Sequence, residues 1–166
     1  LVKYAGVNAE TGEALYWAKK TESTTAAAAA DVAVGEEYKT SDWSAASDNK
    51  AMTGNLLPTV YGGFGTSLKF YGFDASIQLA YQLGGKIYDS GYQYLMHGGS
   101  SSYAGRNWHK DILNSWNENN KNSSVPRVNA QDTYTISTSD RWVTSSDYLS
   151  INNITVGYTL PKRILN

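Results

Sequence analysis

Two histidines, His97 and His109, are the residues whose chemistry best suits a metal ion or a general base. A zinc site on a helix needs a second histidine or a carboxylate three or four residues away, whereas Asp111 lies only two residues after His109. The chain contains no cysteine, which excludes disulfides, thiolate zinc sites and cysteine nucleophiles. We therefore predict that both histidines are polar loop residues, with no metal site and no cofactor.

Glycines and carboxylates give no stronger catalytic pattern. Residues 62–65 (GGFG) superficially resemble a phosphate loop, but no Gly-Lys-Ser/Thr follows and the context is strand to strand. Glu36 and Glu37 are adjacent, so on a strand their carboxylates point to opposite faces. Glycosidase chemistry needs two carboxyl groups that converge. The sequence therefore predicts no catalytic residue, and the chain is not expected to be an enzyme.

Three tryptophans remain as weak candidates for ligand binding: Trp108, Trp116 and Trp142. All three fall in a long polar segment between predicted strands. Their rings could stack on sugars or pack against a partner protein, because aromatic residues are enriched at interfaces. They could equally anchor a small core within their own loop. The sequence leaves both interpretations open.

Composition narrows the class of protein. Lysine and arginine number 14 against 15 acidic residues, so there is no positive field to attract nucleic acid. No apolar run approaches the roughly 20 residues of a membrane helix, and residues 1–6 do not resemble a signal peptide. With 13 tyrosines, 15 glycines and a mean hydropathy of −0.45, the chain reads as β-rich with polar loops. Membrane barrels share this mild hydropathy, because only alternate strand residues face lipid.

Alternation of apolar and polar residues predicts four antiparallel strands, which makes the fold class all-β. The clearest lies at about 72–84, preceded by one at 60–70 across a tight turn at Tyr71-Gly72. Others are expected at about 147–160 and 13–18. Long loops occupy about 19–57 and 84–146, each with a possible short helix. The predicted helix caps are Thr25, before the alanines 26–30, and Asn107, before Trp108, Ile112, Leu113 and Trp116.

The predicted strands are long enough to cross a bilayer. A tilted membrane-spanning strand needs about 9–11 residues, against about 5–6 in globular proteins. Phe73 and Tyr81 lie near opposite ends of one apolar face, as interfacial aromatic girdles require. The tight turn and the long loops also fall at opposite ends of the strands. These features favour part of a large outer-membrane β-barrel; the alternative is a secreted β-sandwich module that binds glycans.

The most specific feature is a pair of runs near the end of the sequence, 139–143 (SDRWV) and 147–161 (DYLSINNITVGYTLP). They closely resemble a stretch near the C-terminus of SusC/RagA-type, TonB-dependent outer-membrane transporters. Further matching segments occur in the family's order over nearly the whole chain, which a chance motif would not do. These segments are 4–7 with 10–12, 57–64, and 116–120 with 125–127.

The resemblance implies a plugged barrel of roughly 22 strands that imports oligosaccharides or peptides. It implies a SusD-like surface lipoprotein as lid, TonB as energy source through the plug, and the lipid of a Gram-negative outer membrane around the wall. Residues 1–166 are then expected to be the C-terminal part of the barrel, a fragment without the plug domain and most strands. Transport would belong to the parent molecule.

Overall fold

The computed structural model describes residues 1–161, which fall into two compact units. The core unit comprises residues 1–53 and 88–143, and the sheet unit comprises 54–87 with the described residues from 144 onward. Antiparallel sheets form the framework of both units and the helices are short, which confirms the predicted all-β class. None of the described helices is long and apolar enough to cross a membrane.

Three strands of 11 residues each form the sheet unit: β4 (Val60–Phe70), β5 (Phe73–Leu83) and β8 (Tyr148–Tyr158). They form one antiparallel, open sheet in the order β4-β5-β8. The strand bounds lie within two residues of those expected from the sequence. Tyr71 and Gly72 join β4 to β5 with φ of 47° and 88°. Positive φ at both central residues is typical of the type I′ turn, whose twist matches that of the flanking strands.

A β-bulge lets β8 present one continuous apolar face. Its apolar residues switch phase along the sequence, from Leu149 and Ile151 to Ile154 and Val156. In a regular strand these two pairs would point to opposite faces. The register with β5 shifts between Gln78 and Leu79, whose partners are Asn153 and Ile151, so Asn152 is the extra residue. The bulge restores the phase and keeps all four side chains on one face.

Two short strands, β6 (Lys86–Tyr88) and β7 (Val143–Ser145), pair with each other. These two strands could not be predicted from the sequence, because three residues are too few to establish a period. The link from β5 to β6 passes through Gly84 and Gly85, both with positive φ. The backbone N–H of Gly84 donates to Asp147 Oδ1 at 2.6 Å. This bond ties the end of β5 to the start of β8.

The core unit contains a second antiparallel sheet, with the order β1 (Tyr4–Val7), β2 (Ala14–Lys19) and β3 (Glu37–Thr40). Strand β2 lies where a strand was expected, at about 13–18, but the expectation that it belongs to the same wall as β4, β5 and β8 was wrong, since it lies in this separate sheet. It alternates buried and more exposed residues, which produces the period of two in its sequence. A four-residue helix, α1 (Trp43–Ala46), packs on this sheet. The buried core of the sheet consists of Val2, Ala14, Tyr16, Ala18, Ala29, Tyr38 and Ala46.

A smaller core forms around Trp142, Met96 and Val125, with helix α2 (Ser90–Leu95) beside it. Asp89 caps α2, because its Oδ1 accepts a hydrogen bond from the backbone N–H of Tyr92 at 2.8 Å. The backbone N–H of Asp89 donates to the carbonyl of Trp142 at 2.8 Å. The helix and the tryptophan are therefore held together by main-chain bonding as well as by packing.

Single turns of 3₁₀ helix occur at Ala27–Ala29, Ser101–Tyr103, Lys110–Asn114 and Asp140–Trp142. Both predicted caps were wrong. Ala26, not Thr25, precedes the first turn, and Lys20 Nζ instead binds the carbonyls of Ala29 and Val32 at its end. His109, not Asn107, caps the third, because its own N–H is held by the Leu95 carbonyl and its Nδ1 accepts from Asp111 N.

Candidate functional site: an exposed apolar sheet face and an aromatic cluster

One face of the sheet unit is apolar from edge to edge. The register aligns Thr66, Ile77 and Ile154 across the three strands, and their neighbours on the same face are almost all apolar. Leu68, Ile154 and Val156 are 69%, 62% and 72% exposed. Among residues 1–161, no member of this face belongs to a buried core. The other members are Val60, Phe64, Phe70, Phe73, Ala75, Leu79, Tyr81, Leu83, Leu149, Ile151 and Tyr158.

The opposite face of the same sheet carries small and polar side chains. Ser67, Ser76 and Thr155 align at mid-height, and Gln78 is opposite Asn153. Water can solvate this face at no cost, whereas it cannot solvate the apolar one favourably. The sheet is therefore amphipathic across its thickness, with neither face serving as a protein core.

Aromatic residues lie near both ends of the apolar face. Phe73 and Tyr158 pack with ring centroids 4.5 Å apart at the tight-turn end, and Tyr81 lies toward the other end. Strands of 11 residues rise about 35 Å along their own axis. Tilted by about 45°, they span about 25 Å, which equals the apolar band of outer-membrane barrels. The dimensions and the girdle positions both suit a bilayer.

An apolar patch of this kind needs a partner. Soluble monomers rarely expose contiguous apolar patches beyond a few hundred Å². A β-sandwich would bury Phe73, Ile77 and Leu79 against a second sheet, yet within the described chain Phe73 is 59% exposed and Ile77 and Leu79 are not in either core. The sandwich alternative thus lacks the buried face it requires.

The three candidate tryptophans lie in different environments. Trp116 donates from Nε1 to the Ala9 carbonyl at 3.0 Å, and its ring covers Gly12. Trp142 is 2% exposed and donates to the Ser137 carbonyl at 3.0 Å. Both rings anchor the core unit, and Trp142 has no free face for a ligand in this structure.

Trp108 is different, because it is 48% exposed and lies at the end of a stack of rings. Its ring centroid is 5.0 Å from that of His97, which in turn is 4.8 Å from that of Tyr103. His97 is 1% exposed, and its Nδ1 accepts a hydrogen bond from Gly99 N at 3.2 Å. With Tyr94 and Arg106 beside this stack, these residues form the aromatic cluster. Tyr94, Tyr103 and Arg106 were not predicted; the density of aromatic residues between 92 and 108 was the available signal.

The sequence motif 139–143 forms a set of structural contacts within the core unit. Asp140 Oδ1 accepts a hydrogen bond from Tyr4 N at 2.7 Å. Arg141 lies over the rings of Trp142 and Tyr4, at 4.4 and 5.2 Å, and donates to the Thr135 carbonyl. Burial lowers the pKa of Arg141 and raises that of Tyr4. These contacts hold the start of the chain against the motif and give it no catalytic geometry.

Other charged groups also have structural partners. Lys3 pairs with Glu37, whose pKa is lowered by hydrogen bonds from Lys3 and then Asn49. Arg127 binds Asp132 through Nε and Nη2 at 2.7 and 2.8 Å. Within residues 1–161, no three histidine, aspartate or glutamate side chains are grouped so that they could hold a metal ion.

Comparisons with known proteins agree with these observations. No protein-family model matches the sequence. The chain is 27% identical over 117 residues to TonB-dependent receptor P3 of Formosa agariphila, a match that covers 70% of this chain and 11% of that protein. It superposes on solved structures of the RagAB peptide importer in the closed-closed state and of the RagAB peptide transporter, each with a TM-score of 0.69. Identities are 23% and 24%, with 100% and 99% of this chain and 17% and 16% of those chains covered.

Proposed function

We propose that this chain, a segment of a SusC/RagA-family TonB-dependent receptor, supplies part of the barrel wall and adjoining loops of an outer-membrane nutrient transporter. In this proposal strands β4, β5 and β8 cross the bilayer near the C-terminal end of the parent protein. Their apolar face contacts lipid and their polar face contacts the barrel interior. The loops at about 19–57 and 84–146 would then lie at the cell surface.

The observation that carries the proposal is the amphipathic sheet itself. Side chains such as Leu68 and Val156 are large, apolar and mostly exposed, and they continue across all three strands. Burying such a face in hydrocarbon gains roughly 25 cal/mol per Å² of apolar area. Closed barrels also pair every strand edge, which would satisfy the open backbone groups of β4 and β8.

The finer parts of the proposal follow from the family. We expect the parent transporter to import oligosaccharides or peptides, to take energy from TonB and to close with a SusD-like lipoprotein. The chain spans 11% of the curated receptor and 16–17% of the RagAB chains, so these activities belong to the parent molecule. Of the three tryptophans, Trp108 is the one we propose for ligand contact, since its ring is half exposed.

Spin labelling tests the lipid-facing assignment. The chain has no cysteine, so Ile154→Cys and Thr155→Cys each give one labelling site within it. These neighbours lie on opposite faces of β8. In the parent transporter reconstituted in liposomes, we expect the label at 154 to collide with oxygen dissolved in lipid. The label at 155 should instead collide with a water-soluble nickel chelate. Nickel accessibility at 154 would contradict a lipid-facing wall.

Import is tested in cells. A bacterium that depends on the parent gene for growth on an oligosaccharide or peptide mixture should lose growth when the gene for TonB is deleted. Co-purification of a surface lipoprotein with the transporter would support the proposed lid. Growth that persists without TonB would contradict the proposed active transport. It would not affect the assignment of β4, β5 and β8 to the barrel wall.

A further inference from the structure

An open cleft in the core unit lies beside the aromatic cluster and has no role in the fold described so far. Its volume is about 440 Å³, within the roughly 300–1,000 Å³ of small-molecule sites. The lining combines hydroxyl and amide groups with two tyrosine rings and one aliphatic side chain. The hydroxyl, amide and aromatic members are Ser90, Gln93, Tyr94, Tyr103, Thr133 and Ser137.

Polar groups in the cleft are available to a ligand. Gln93 Nε2 donates to the Ile136 carbonyl at 2.7 Å, which fixes the amide beside the Tyr88 hydroxyl, and Gln93 Oε1 accepts no hydrogen bond from the described residues. The hydroxyls of Ser90 and Ser137 form no hydrogen bond with any other described residue. Fixed acceptors and free hydroxyls match the alternating donors and acceptors of a sugar ring.

Arg106 is not one of the lining residues, but its positive charge lies against two tyrosine rings that are. Its guanidinium carbon lies 4.7 Å from the ring centroid of Tyr94 and 5.5 Å from that of Tyr103, and both rings line the cleft. Stacking on aromatic faces leaves the in-plane N–H groups of a guanidinium free to bind a carboxylate with two hydrogen bonds. Within residues 1–161, no carboxylate forms an ion pair with Arg106.

We propose that this cleft binds an oligosaccharide that carries a carboxylate, with Arg106 as the carboxylate ligand and Gln93, Ser90 and Ser137 as hydroxyl contacts. The lining contains no carboxylate to repel such a ligand. Its apolar surface comes from two tyrosine rings and one aliphatic side chain, Ile136. This inference rests on the proposed function, because it names the substrate class of the same transporter.

The test uses the purified parent transporter in detergent and a matched pair of probes. Tetramannuronate and β-1,4-mannotetraose share a backbone and differ in the carboxylate at each sugar. Isothermal titration should give about tenfold tighter binding of the acidic probe, as expected for charge-assisted hydrogen bonds. Arg106→Gln should remove this difference, by weakening tetramannuronate to about the affinity of mannotetraose. Arg106→Lys should retain part of it, since an ammonium keeps the charge without the fork.

Two further variants separate the site from a general charge effect. Lys121→Gln removes one positive charge from another exposed loop and should leave both affinities unchanged. Ser90→Tyr fills the cleft while keeping Arg106, and it should weaken tetramannuronate at least tenfold. Equal affinity of the wild type and Arg106→Gln for tetramannuronate would overturn the proposal.

A peptide probe decides between ligand classes. If tetraglutamate binds as tightly as tetramannuronate and with the same dependence on Arg106, the saccharide assignment is wrong. Failure of this inference is distinguishable from failure of the proposed function, because the spin-label experiment reports on the wall alone. A wall that faces lipid combined with Arg106-independent binding would reject only the cleft.

Discussion

The core unit and the sheet unit use apolar side chains in opposite ways. In the core unit, Tyr16 and Trp142 are 0% and 2% exposed, sealed beneath loops and short helices. In the sheet unit, Ile154 and Val156 are 62% and 72% exposed on a flat face. In both units the hydrophobic effect favours the removal of apolar side chains from water. The core unit achieves this by packing its apolar side chains against one another, whereas the sheet unit does not.

The two units also differ in how regular their contacts are. The sheet unit has uniform 11-residue strands, a two-residue turn and one bulge. The core unit depends on contacts far apart in sequence, such as the bond from Tyr4 N to Asp140 Oδ1 and that from Tyr16 OH to the Tyr134 carbonyl. The sheet unit also joins distant parts of the chain, because β8 pairs with β5, but those contacts repeat along a ladder, whereas the core unit depends on individual contacts of different kinds.

The largest expected effect on stability comes from removing a buried ring of the core unit. Trp142→Ala deletes a fully buried side chain and should cost about 3–5 kcal/mol in the core unit. The measurement is hydrogen exchange of the amides of Gln93 in α2 and of Met96 directly after it, in the intact transporter. Trp108→Ala, at a half-exposed ring, is the control and should cost much less. Equal losses of protection would mean that the second core does not depend on Trp142.

A charged residue introduced on the exposed apolar face tests whether the sheet unit contacts lipid. Ile154→Arg should destabilise the folded transporter in liposomes by about 2–4 kcal/mol, because arginine near the bilayer midplane must leave water. Its neighbour Thr155→Arg, on the polar face, should change stability by less than about 0.5 kcal/mol. Urea titration of the reconstituted protein gives both values. If Ile154→Arg is as mild as an ordinary surface substitution, the face does not contact hydrocarbon.

Substitutions of two glycines, one in each unit, should have smaller effects on stability. Gly12 has a φ of 75°, and an added Cβ would lie 2.4 Å from the Trp116 ring. Gly12→Ala should therefore cost about 1–3 kcal/mol through backbone strain and a displaced ring. Gly65 on β4 has an ordinary φ and at least 3.6 Å of space, so Gly65→Ala should be neutral or stabilise by about 0.5 kcal/mol. Hydrogen exchange of the residue 8–18 segment and urea titration, respectively, measure the two effects.

The smallest effect concerns the Lys3–Glu37 pair of the core unit. Because the pKa of Glu37 is lowered in the folded state, its contribution is present above the ordinary value of 4.5 and is lost as pH falls below it. The pair is partly exposed and screened by solvent, so the contribution is only about 0.2–1 kcal/mol. Glu37→Gln should flatten the acid dependence of β3 amide exchange, corrected for intrinsic rates. Glu36→Gln leaves the pair intact and should keep the wild-type dependence.

The sequence predicted more of the sheet unit than of the core unit. The positions of β4, β5 and β8 and the Tyr71-Gly72 turn followed from alternation and turn chemistry. The bulge at Asn152 did not, because a phase switch has no meaning until a partner strand fixes the register. Strands β1 and β3, with four residues each, were also missed. Their pairing with β2 comes from tertiary contacts that override weak local propensity.

The candidate site was also only partly predictable from the sequence. Trp108, Trp116 and Trp142 were equivalent in sequence, and only the folded chain separates one exposed ring from two anchors. Arg106 gained its role from lying over Tyr94 and Tyr103, a geometry set by the loop. The sequence by itself determined a sheet with one apolar and one polar face, because side-chain direction in a strand follows a fixed period of two. Tertiary structure alone decided which loop rings are buried and which charge lies beside the cleft, because those contacts join residues that no local rule relates.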